Sequence, residues 1–289
     1  MLIVQITDIH IGFDQKSRFE MNKKRFRQTL QAVMKLDPRP DLLVVSGDIA
    51  DKGDIASYEW FRREIQQLSL PTVMCMGNHD TRENFRQVFP DTPAEDGFIQ
   101  YVVDDHPLRI IVLDTLEVAR HGGGFCEKRA AWLDARLTEA PQRPTLLVLH
   151  HPPIDTGIEW MTIGPAEPWV NRLTEVVSRH GQVVGALCGH VHRTIATSWA
   201  GTTLTVCPSA APQVVLDLKP MNLERPDKRP MIVEAPPSFG LHRWNGERLV
   251  SHFTAVERKK ILARYTRKMQ AFMKHLAQER SGTAGPHHH

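Results

Sequence analysis

Apolar runs of strand length alternate with helix-like segments through the first two-thirds of the chain. Several runs are continuously apolar, which is typical of strands buried on both faces of an α/β sheet. The segments between them carry apolar residues at three- and four-residue spacing, which predicts helices packed on that sheet. The predicted strands are Leu2–Thr7, Asp41–Ser46, Pro71–Met76, Arg109–Leu113, Pro144–Leu149 and Val183–Cys188, and the predicted helices are Met21–Lys35, Ala56–Leu68, Glu127–Leu137 and Trp169–Arg179.

The pattern changes after residue 193, where short strand-like runs are joined by turns. These runs predict a second, more antiparallel sheet. Seven prolines crowd residues 207–237, and we interpret 217–237 as an irregular insertion that forms a cap or a dimer element. The predicted late strands are Thr194–Trp199, Thr203–Val206, Val214–Leu218, Met231–Val233, Phe239–Trp244 and Arg248–Thr254.

The end of the chain differs again. Glu257–Glu279 carries apolar residues at helical spacing and predicts a long amphipathic helix with a basic face. We therefore expect one domain over 1–256, a basic amphipathic helix over 257–280 and a disordered tail over 281–289. His287–His289 are interpreted as the remnant of a purification tag.

Composition and charge limit the classes of protein. With 41% hydrophobic and 24% charged residues the chain is typical of globular proteins, and no apolar run approaches membrane-spanning length. The formal net charge is +3, but residues 256–280 hold eight Lys and Arg against two Glu. The remainder is slightly acidic, so bulk charge gives no support to nucleic-acid binding. Four dispersed cysteines and an N-terminus without a signal peptide predict a cytoplasmic protein with free thiols.

Metal-ligating side chains follow five of the predicted strands. The segments are Asp8-x-His10, Gly47-Asp48, Gly77-Asn78-His79-Asp80, His150-His151 and Gly189-His190-x-His192. In an open α/β sheet the ligand crevice lies outside the carboxyl ends of the strands, so these five segments are expected to converge. Residues two apart on an extended chain point the same way, which would let Asp8 act with His10, and His190 with His192.

The donors are carboxylate, imidazole and amide groups, without cysteine. Such a set suits Fe, Mn, Zn or Co and does not distinguish among them. Seven candidate ligands exceed the needs of one tetrahedral ion and favour two ions that share a bridging carboxylate. Two such ions hold a hydroxide and stabilise charge on a phosphoryl oxygen during displacement.

The five motifs, in this order, resemble those of the calcineurin-like metallophosphoesterases over residues 1–210. Within that family, residues 47–53 (Gly-Asp-Ile-Ala-Asp-Lys-Gly), 150–153 (His-His-Pro-Pro) and 207–209 (Cys-Pro-Ser) look most like the class III cyclic-nucleotide phosphodiesterases. The related glycerophosphodiesterases share most of these features. The resemblance implies a four-layer αββα sandwich, in which helices flank two mixed β-sheets.

The resemblance also implies a role for each residue of the motifs. One metal would be held by Asp8, His10, Asp48 and His192, and the other by Asp48, Asn78, His150 and His190, with Asp48 bridging. His79 would face the substrate beside Asn78, stabilise the transition state and protonate the leaving alkoxide. Asp80 would orient or polarise His79.

Other polar residues are weaker candidates. Substrate contacts are weighed for His151, Asp51 and His242 against packing or turn roles. The remaining histidines, among them His121, are expected on the surface.

The function expected from these observations is hydrolysis of a small phosphodiester, first of all a 3′,5′-cyclic nucleotide such as cAMP, by a metal-bridging hydroxide. A glycerophosphodiesterase or a phosphodiesterase of broad specificity is the main alternative. A nuclease or a non-catalytic metal-binding scaffold is less favoured, because the chain shows no partner domain and every motif position is filled. Association of identical chains through 217–237 or the C-terminal helix is a further hypothesis.

Overall fold

The computed structural model describes residues 1–14, 17, 20–164 and 166–281. It divides into a large unit, Met1–Val256, and a C-terminal segment that begins at Glu257. The predicted tag remnant and nearly all of the predicted tail lie outside the described residues. Among those residues, no helix is both long enough and apolar enough to cross a bilayer.

Helices and strands alternate in the large unit as far as residue 188. The helices are α1 (Met21–Val33), α2 (Ile55–Ile65), α3 (Arg82–Val88), α4 (Glu127–Thr138) and α5 (Pro168–Ser178), with short 3₁₀ turns at Gln66–Leu68 and Glu159–Met161. The strands are β1 (Leu2–Ile6), β2 (Leu42–Ser46), β3 (Thr72–Cys75), β4 (Tyr101–Val103), β5 (Arg109–Val112), β6 (Thr145–Val148), β7 (Val183–Cys188), β8 (Ile195–Trp199), β9 (Thr202–Val206), β10 (Gln213–Val214), β11 (Ile232–Val233), β12 (Ser238–Trp244) and β13 (Leu249–Ala255).

Two mixed sheets form the centre of the large unit. The first has the order β13-β12-β1-β2-β3, and the second has the order β4-β5-β6-β7-β9-β8. Strands β1, β2 and β3 run parallel, as do β5, β6 and β7. Their carboxyl ends therefore lie at one edge of each sheet, where the ligand crevice of an α/β protein is expected.

The burial of alternate residues shows four layers. Ile110 and Val112 of β5 pack in the core that contains the first sheet and helices α1 to α3. Ile111 and Leu113, which point to the opposite face, pack with α4 and α5. The order helix, sheet, sheet, helix is the predicted αββα sandwich, and the predicted fold class is confirmed.

The strands after residue 193 do not form one second sheet, so that prediction is wrong, although β10 pairs with β11 in a separate two-stranded antiparallel sheet. Strands β8 and β9 extend the second sheet, whereas β12 and β13 extend the first. Strand-like spacing indicates which residues alternate but not which sheet edge is free to accept them. Sequence reasoning also missed α3 and β4, and the strand predicted at Val214–Leu218 is reduced to Gln213–Val214.

The C-terminal helix is shorter than predicted. Helix α6 spans Arg267–Arg280, preceded by Thr266 in extended conformation, and residues 257–266 have no helical structure. Like charges four residues apart, at Lys260, Arg264 and Lys268, disfavour a helix through this stretch. Apolar spacing alone did not reveal that opposing effect.

Candidate metal centre

The polar ends of the parallel strands carry an unusual backbone conformation. Asp8, His10 and Asp48 have φ values of 50°, 50° and 49°, and His190 and His192 have φ values of 73° and 55°. A non-glycine residue in the left-handed region costs about 1–3 kcal/mol and persists only where the surroundings impose it. The chain therefore does not stay extended through Asp8–His10 or His190–His192, and its turning, not strand alternation, brings these side chains together.

A first group of donors joins the ends of β1 and β7. The Nε2 atom of His192 lies 3.5 Å from Oδ1 of Asp8 and 3.2 Å from Nε2 of His10. The Nδ1–H of His192 donates to the carbonyl of Pro212 at 2.7 Å, which leaves the lone pair on Nε2. Two donors from the end of β1 and one from the end of β7 thus face one point.

A second group lies at the ends of β3, β6 and β7. His150 donates from Nδ1 to the carbonyl of Ser46 at 2.8 Å, and His190 donates from Nδ1 to Oδ1 of Asn78 at 3.0 Å. The Nε2 atoms of both histidines are buried and have no hydrogen-bond partner among the described residues. Burial and the neighbouring imidazoles hold the pKa of His190 well below its ordinary value, so its ring is neutral.

Asp48 lies between the two groups. Its Oδ2 atom is 3.5 Å from Nε2 of His10 and 3.3 Å from Nε2 of His150. Its Oδ1 atom accepts the backbone N–H of His79 at 2.9 Å. Although burial opposes ionisation, the imidazoles of His150 and His10 hold the pKa of Asp48 well below its usual range. The carboxylate is therefore ionised at the point where the groups meet.

Two glycines permit this close approach. A Cβ at Gly47, where φ is 95°, would overlap the His150 ring, and a Cβ at Gly77 would overlap the Asp48 carboxylate. Any larger residue at either position would push a donor out of place.

The donor set fits a transition-metal centre. Unpaired buried nitrogens are rare in folded proteins, and here they belong to imidazoles whose other nitrogen is held by a protein oxygen. That arrangement orients metal-ligating histidines in known sites. The residues present would hold divalent ions through imidazole, carboxylate and amide donors.

Comparison with known proteins agrees with this centre. The profile of the family described as calcineurin-like phosphoesterase matches residues 1–194. The chain belongs to the calcineurin-like phosphoesterase family. The family predicted from the five motifs, and the prediction that the chain is a phosphoester hydrolase, are therefore confirmed.

Two relatives and one solved structure match a larger share of the chain than residues 1–194. A probable glycerophosphodiester phosphodiesterase of Arcobacter nitrofigilis is 34% identical over 87% of this chain and 92% of its own length. A probable cyclic nucleotide phosphodiesterase of Rhodopseudomonas palustris is 35% identical over 81% of this chain and 89% of its own. A dimetal phosphatase from Danio rerio shares the fold, with a TM-score of 0.65 and 16% identity over 89% of this chain and 96% of that one.

His79 and Asp51 are close neighbours beside the centre. The Nδ1–H of His79 donates to the backbone carbonyl of Asp51 at 2.8 Å, which leaves Nε2 as the ring atom for a ligand. The Asp51 carboxylate lies 3.2 Å from Nδ1 of His10 and 3.8 Å from Nδ1 of His79. Asp51 thus contacts both a predicted metal ligand and the predicted catalytic histidine.

Asp80 does not contact the His79 ring, contrary to its expected role. Its carboxylate accepts the backbone N–H groups of Ile49, Ala50 and Gly77 and the hydroxyl of Tyr58 at 2.9–3.2 Å. Burial, followed by the nearby Asp48 charge, raises the pKa of Asp80 to about 6. Asp80 therefore fixes the loop after β2, and the contact with the His79 ring comes from Asp51.

The two other weak candidates lie away from the cleft over the centre. His151 is fully buried, with Nδ1 2.8 Å from the hydroxyl of Thr115. His242 of β12 is fully buried between Gln5 and Ser251, at 3.0 Å and 2.8 Å. Neither residue lines the cleft, which favours the packing role that was weighed against a substrate contact for each.

His121 is exposed, as expected, but sequence reasoning missed its contacts with the centre. Its Nδ1 atom lies 3.3 Å from Nδ2 of Asn78, and its ring packs on that of His190 with centroids 4.7 Å apart. The run Gly122-Gly123-Gly124 after it was the available signal, because a Cβ at Gly123 would overlap the His151 ring. His121 thus lies at the edge of the second group of donors.

Proposed function

We propose that the chain is a binuclear metal-dependent phosphodiesterase that hydrolyses a small phosphodiester, first of all a 3′,5′-cyclic nucleotide such as cAMP. The position of Asp48 carries this proposal, since one carboxylate oxygen lies 3.5 Å and 3.3 Å from imidazole nitrogens of separate donor groups. A carboxylate so placed suits a bridge between two ions.

Each donor except Asp48 then serves one ion. One ion would be held by Asp8, His10, Asp48 and His192, and the other by Asp48, Asn78, His150 and His190. Bound Fe, Mn, Zn or Co supplies Lewis acidity and a hydroxide nucleophile. The protein contributes the positions of the donors, because its own oxygens fix the tautomers of His150, His190 and His192.

His79 is assigned the proton transfer. Its Nδ1–H is held by the Asp51 carbonyl, so Nε2 is the atom that exchanges a proton with the leaving alkoxide. The Asn78 amide lies beside it and contributes a donor to the substrate phosphate. Asp51, which contacts His10 and His79, sets the distance between the first donor group and the proton donor.

Hydrolysis of a glycerophosphodiester is the second candidate function. One relative bears that description and another is described as a cyclic nucleotide phosphodiesterase. Cyclic nucleotides and glycerophosphodiesters are hydrolysed by the same attack on phosphorus. Only the protein groups that contact the ester substituents can therefore distinguish these two substrates. We further propose a cytoplasmic location, no nucleic-acid partner, and association of identical chains through 217–237 or the C-terminal helix.

The test is hydrolysis by protein reconstituted with each metal in turn. The panel is bis-p-nitrophenyl phosphate, cAMP, a 2′,3′-cyclic nucleotide, a glycerophosphodiester and p-nitrophenyl phosphate as a monoester. We expect metal-dependent turnover of diesters well above that of the monoester. Turnover that persists after complete metal removal, or monoester hydrolysis that exceeds every diester, would refute the proposal.

A further inference from the structure

The cleft over the metal centre has two chemically different surfaces. Its floor consists of predicted ligands and their neighbours, including His10, Asp48 and His79. Its walls are apolar and are lined by Phe13, Trp160, Met161, Ala211, Pro212, Val214 and Ile232. The cleft volume is about 200 Å³, below the range of about 300–1,000 Å³ that is typical of sites for drug-sized ligands. A small diester fits such a cleft better than a polymer.

The charges of the cleft limit the ester group of the substrate. Among the described residues that line it, no lysine or arginine is present, and the carboxylates are those of Asp48 and Asp51. Nothing on these walls would balance a second anionic group. The group that enters beside the phosphate is therefore uncharged.

Asn22 adds a single directional contact. This residue lines the cleft and is 3% exposed. Its Nδ2–H donates to the carbonyl of His10 at 3.0 Å, whereas Oδ1 has no hydrogen-bond partner among the described residues. A buried acceptor without a partner is rare and calls for a ligand or water as donor.

Part of the apolar wall comes from the insertion. The pairing of β10 with β11 sets Val214 directly opposite Ile232, and both line the cleft. The backbone N–H of Met221 donates to the carboxylate of Glu159, next to Trp160. The insertion therefore contacts the Glu159–Met161 turn, and each contributes residues to the apolar wall.

Resting on the proposed function, we propose that this cleft binds a flat, uncharged ester group through its apolar faces while Asn22 Oδ1 accepts one hydrogen bond from that group. A nucleoside has a base whose flat faces can pack on apolar walls, with amino donors at the base edge and hydroxyl donors on the ribose, whereas a glycerol ester offers several hydroxyls and no flat face. The substrate class is accordingly the nucleoside type of phosphodiester, and Trp160 and Asn22 are its specificity-determining residues.

The first experiment compares kcat/KM for cAMP and for glycerophosphoglycerol, an uncharged-ester control, in the metal-loaded protein. Trp160→Ala should lower kcat/KM for cAMP about tenfold through KM, since aromatic contact area is lost, and leave glycerophosphoglycerol within about twofold. Trp160→Phe should retain most of the cAMP activity. Met34→Ala, which changes an exposed apolar residue directly after α1 and outside the cleft, is the matched control.

The second experiment tests the hydrogen bond with analogues of cAMP that lack either the 2′-hydroxyl or the 6-amino group. In the unmodified protein one analogue should have a raised KM, and in Asn22→Leu that difference should disappear. Metal content of the variant is measured in parallel, because Asn22 also holds the His10 carbonyl.

Different results contradict the two proposals. Absence of metal-dependent hydrolysis of bis-p-nitrophenyl phosphate would contradict the proposed function. With that activity present, a preference for glycerophosphoglycerol, or equal losses for both substrates in Trp160→Ala, would overturn the nucleoside subsite. Equal KM values for cAMP and both analogues in the unmodified protein would overturn the role of Asn22.

Discussion

Two sets of buried histidines in this protein differ in how their nitrogens are satisfied. At the carboxyl ends of the strands, His150 and His190 each leave a buried Nε2 without a hydrogen-bond partner. In the middle of β12, His242 is equally buried, but Gln5 Oε1 and the Ser251 hydroxyl occupy both of its nitrogens. Burial and polar neighbours are common to both sets, whereas an unpaired Nε2 distinguishes His150 and His190 from His242, and the adjacent His151 shares that unpaired Nε2.

The backbone differs in the same way. His242 lies in a regular strand whose register continues on both sides. His190, His192, Asp8 and Asp48 have left-handed φ values where their strands end. Strain is thus concentrated where donors must converge, as is usual for functional sites.

The largest expected effect follows from removing the shared carboxylate charge. Asp48→Asn should lose metal and fall to undetectable turnover, because one carboxylate serves both donor groups. Metal analysis and diesterase assays measure this, with Asp91→Asn, an exposed carboxylate outside the cleft, as the control. Retained activity with a full metal complement would contradict the bridging role.

A smaller effect is expected for the proton donor. His79→Ala should keep its metal and lose about 10²–10⁴-fold in kcat, the usual contribution of general acid–base catalysis. The loss should be least for substrates with a good leaving group such as p-nitrophenolate, which needs no protonation. An equal loss for cAMP and bis-p-nitrophenyl phosphate would remove the proton-transfer role.

A still smaller effect is expected for Asp51, which positions a predicted metal ligand and is not itself a predicted ligand. Asp51→Ala removes the partner of His10 Nδ1 but keeps the backbone carbonyl that holds His79. We expect a loss of about 10–100-fold in metal affinity or activity, as for other residues behind metal ligands. Metal titration measures it, and Asp51→Asn should recover part of the affinity because its amide oxygen can still accept the hydrogen bond.

The smallest effect should come from the fully paired histidine. Burial, with nearby His252, lowers the pKa of His242 to about 3 from an ordinary value of 6.5. Below pH 6.5 the unfolded chain takes up a proton that the folded protein excludes, so the unfolding free energy falls as the pH drops toward 3. His242→Gln removes this contribution.

Denaturant unfolding at several pH values measures the effect. Between about pH 6.5 and 4, the unfolding free energy of His242→Gln should fall less steeply than that of the unmodified protein, while kcat at neutral pH is unchanged. His106→Gln serves as the control. A large loss of activity in folded His242→Gln would end the distinction between the two sets of histidines.

The sequence by itself determined the alternation of strands and helices and the residues that could ligate metal. Continuous apolar runs mark buried strands, and Asp, Asn and His at their ends are visible without a structure. The family resemblance supplied the sandwich and the expected pairing of donors. The apolar runs and the polar residues at their ends are local features of the chain, so residue spacing alone is enough to identify them.

Only the tertiary structure decided which distant residues meet. It divided the late strands between two sheets, gave His79 a contact with Asp51 in place of Asp80, and brought His121 against Asn78 and His190. It also gave both nitrogens of His242 a hydrogen-bond partner and left Nε2 of His150 and of His190 without one. Such contacts join side chains far apart in sequence, and they depend on strand order and on left-handed turns that residue spacing does not encode.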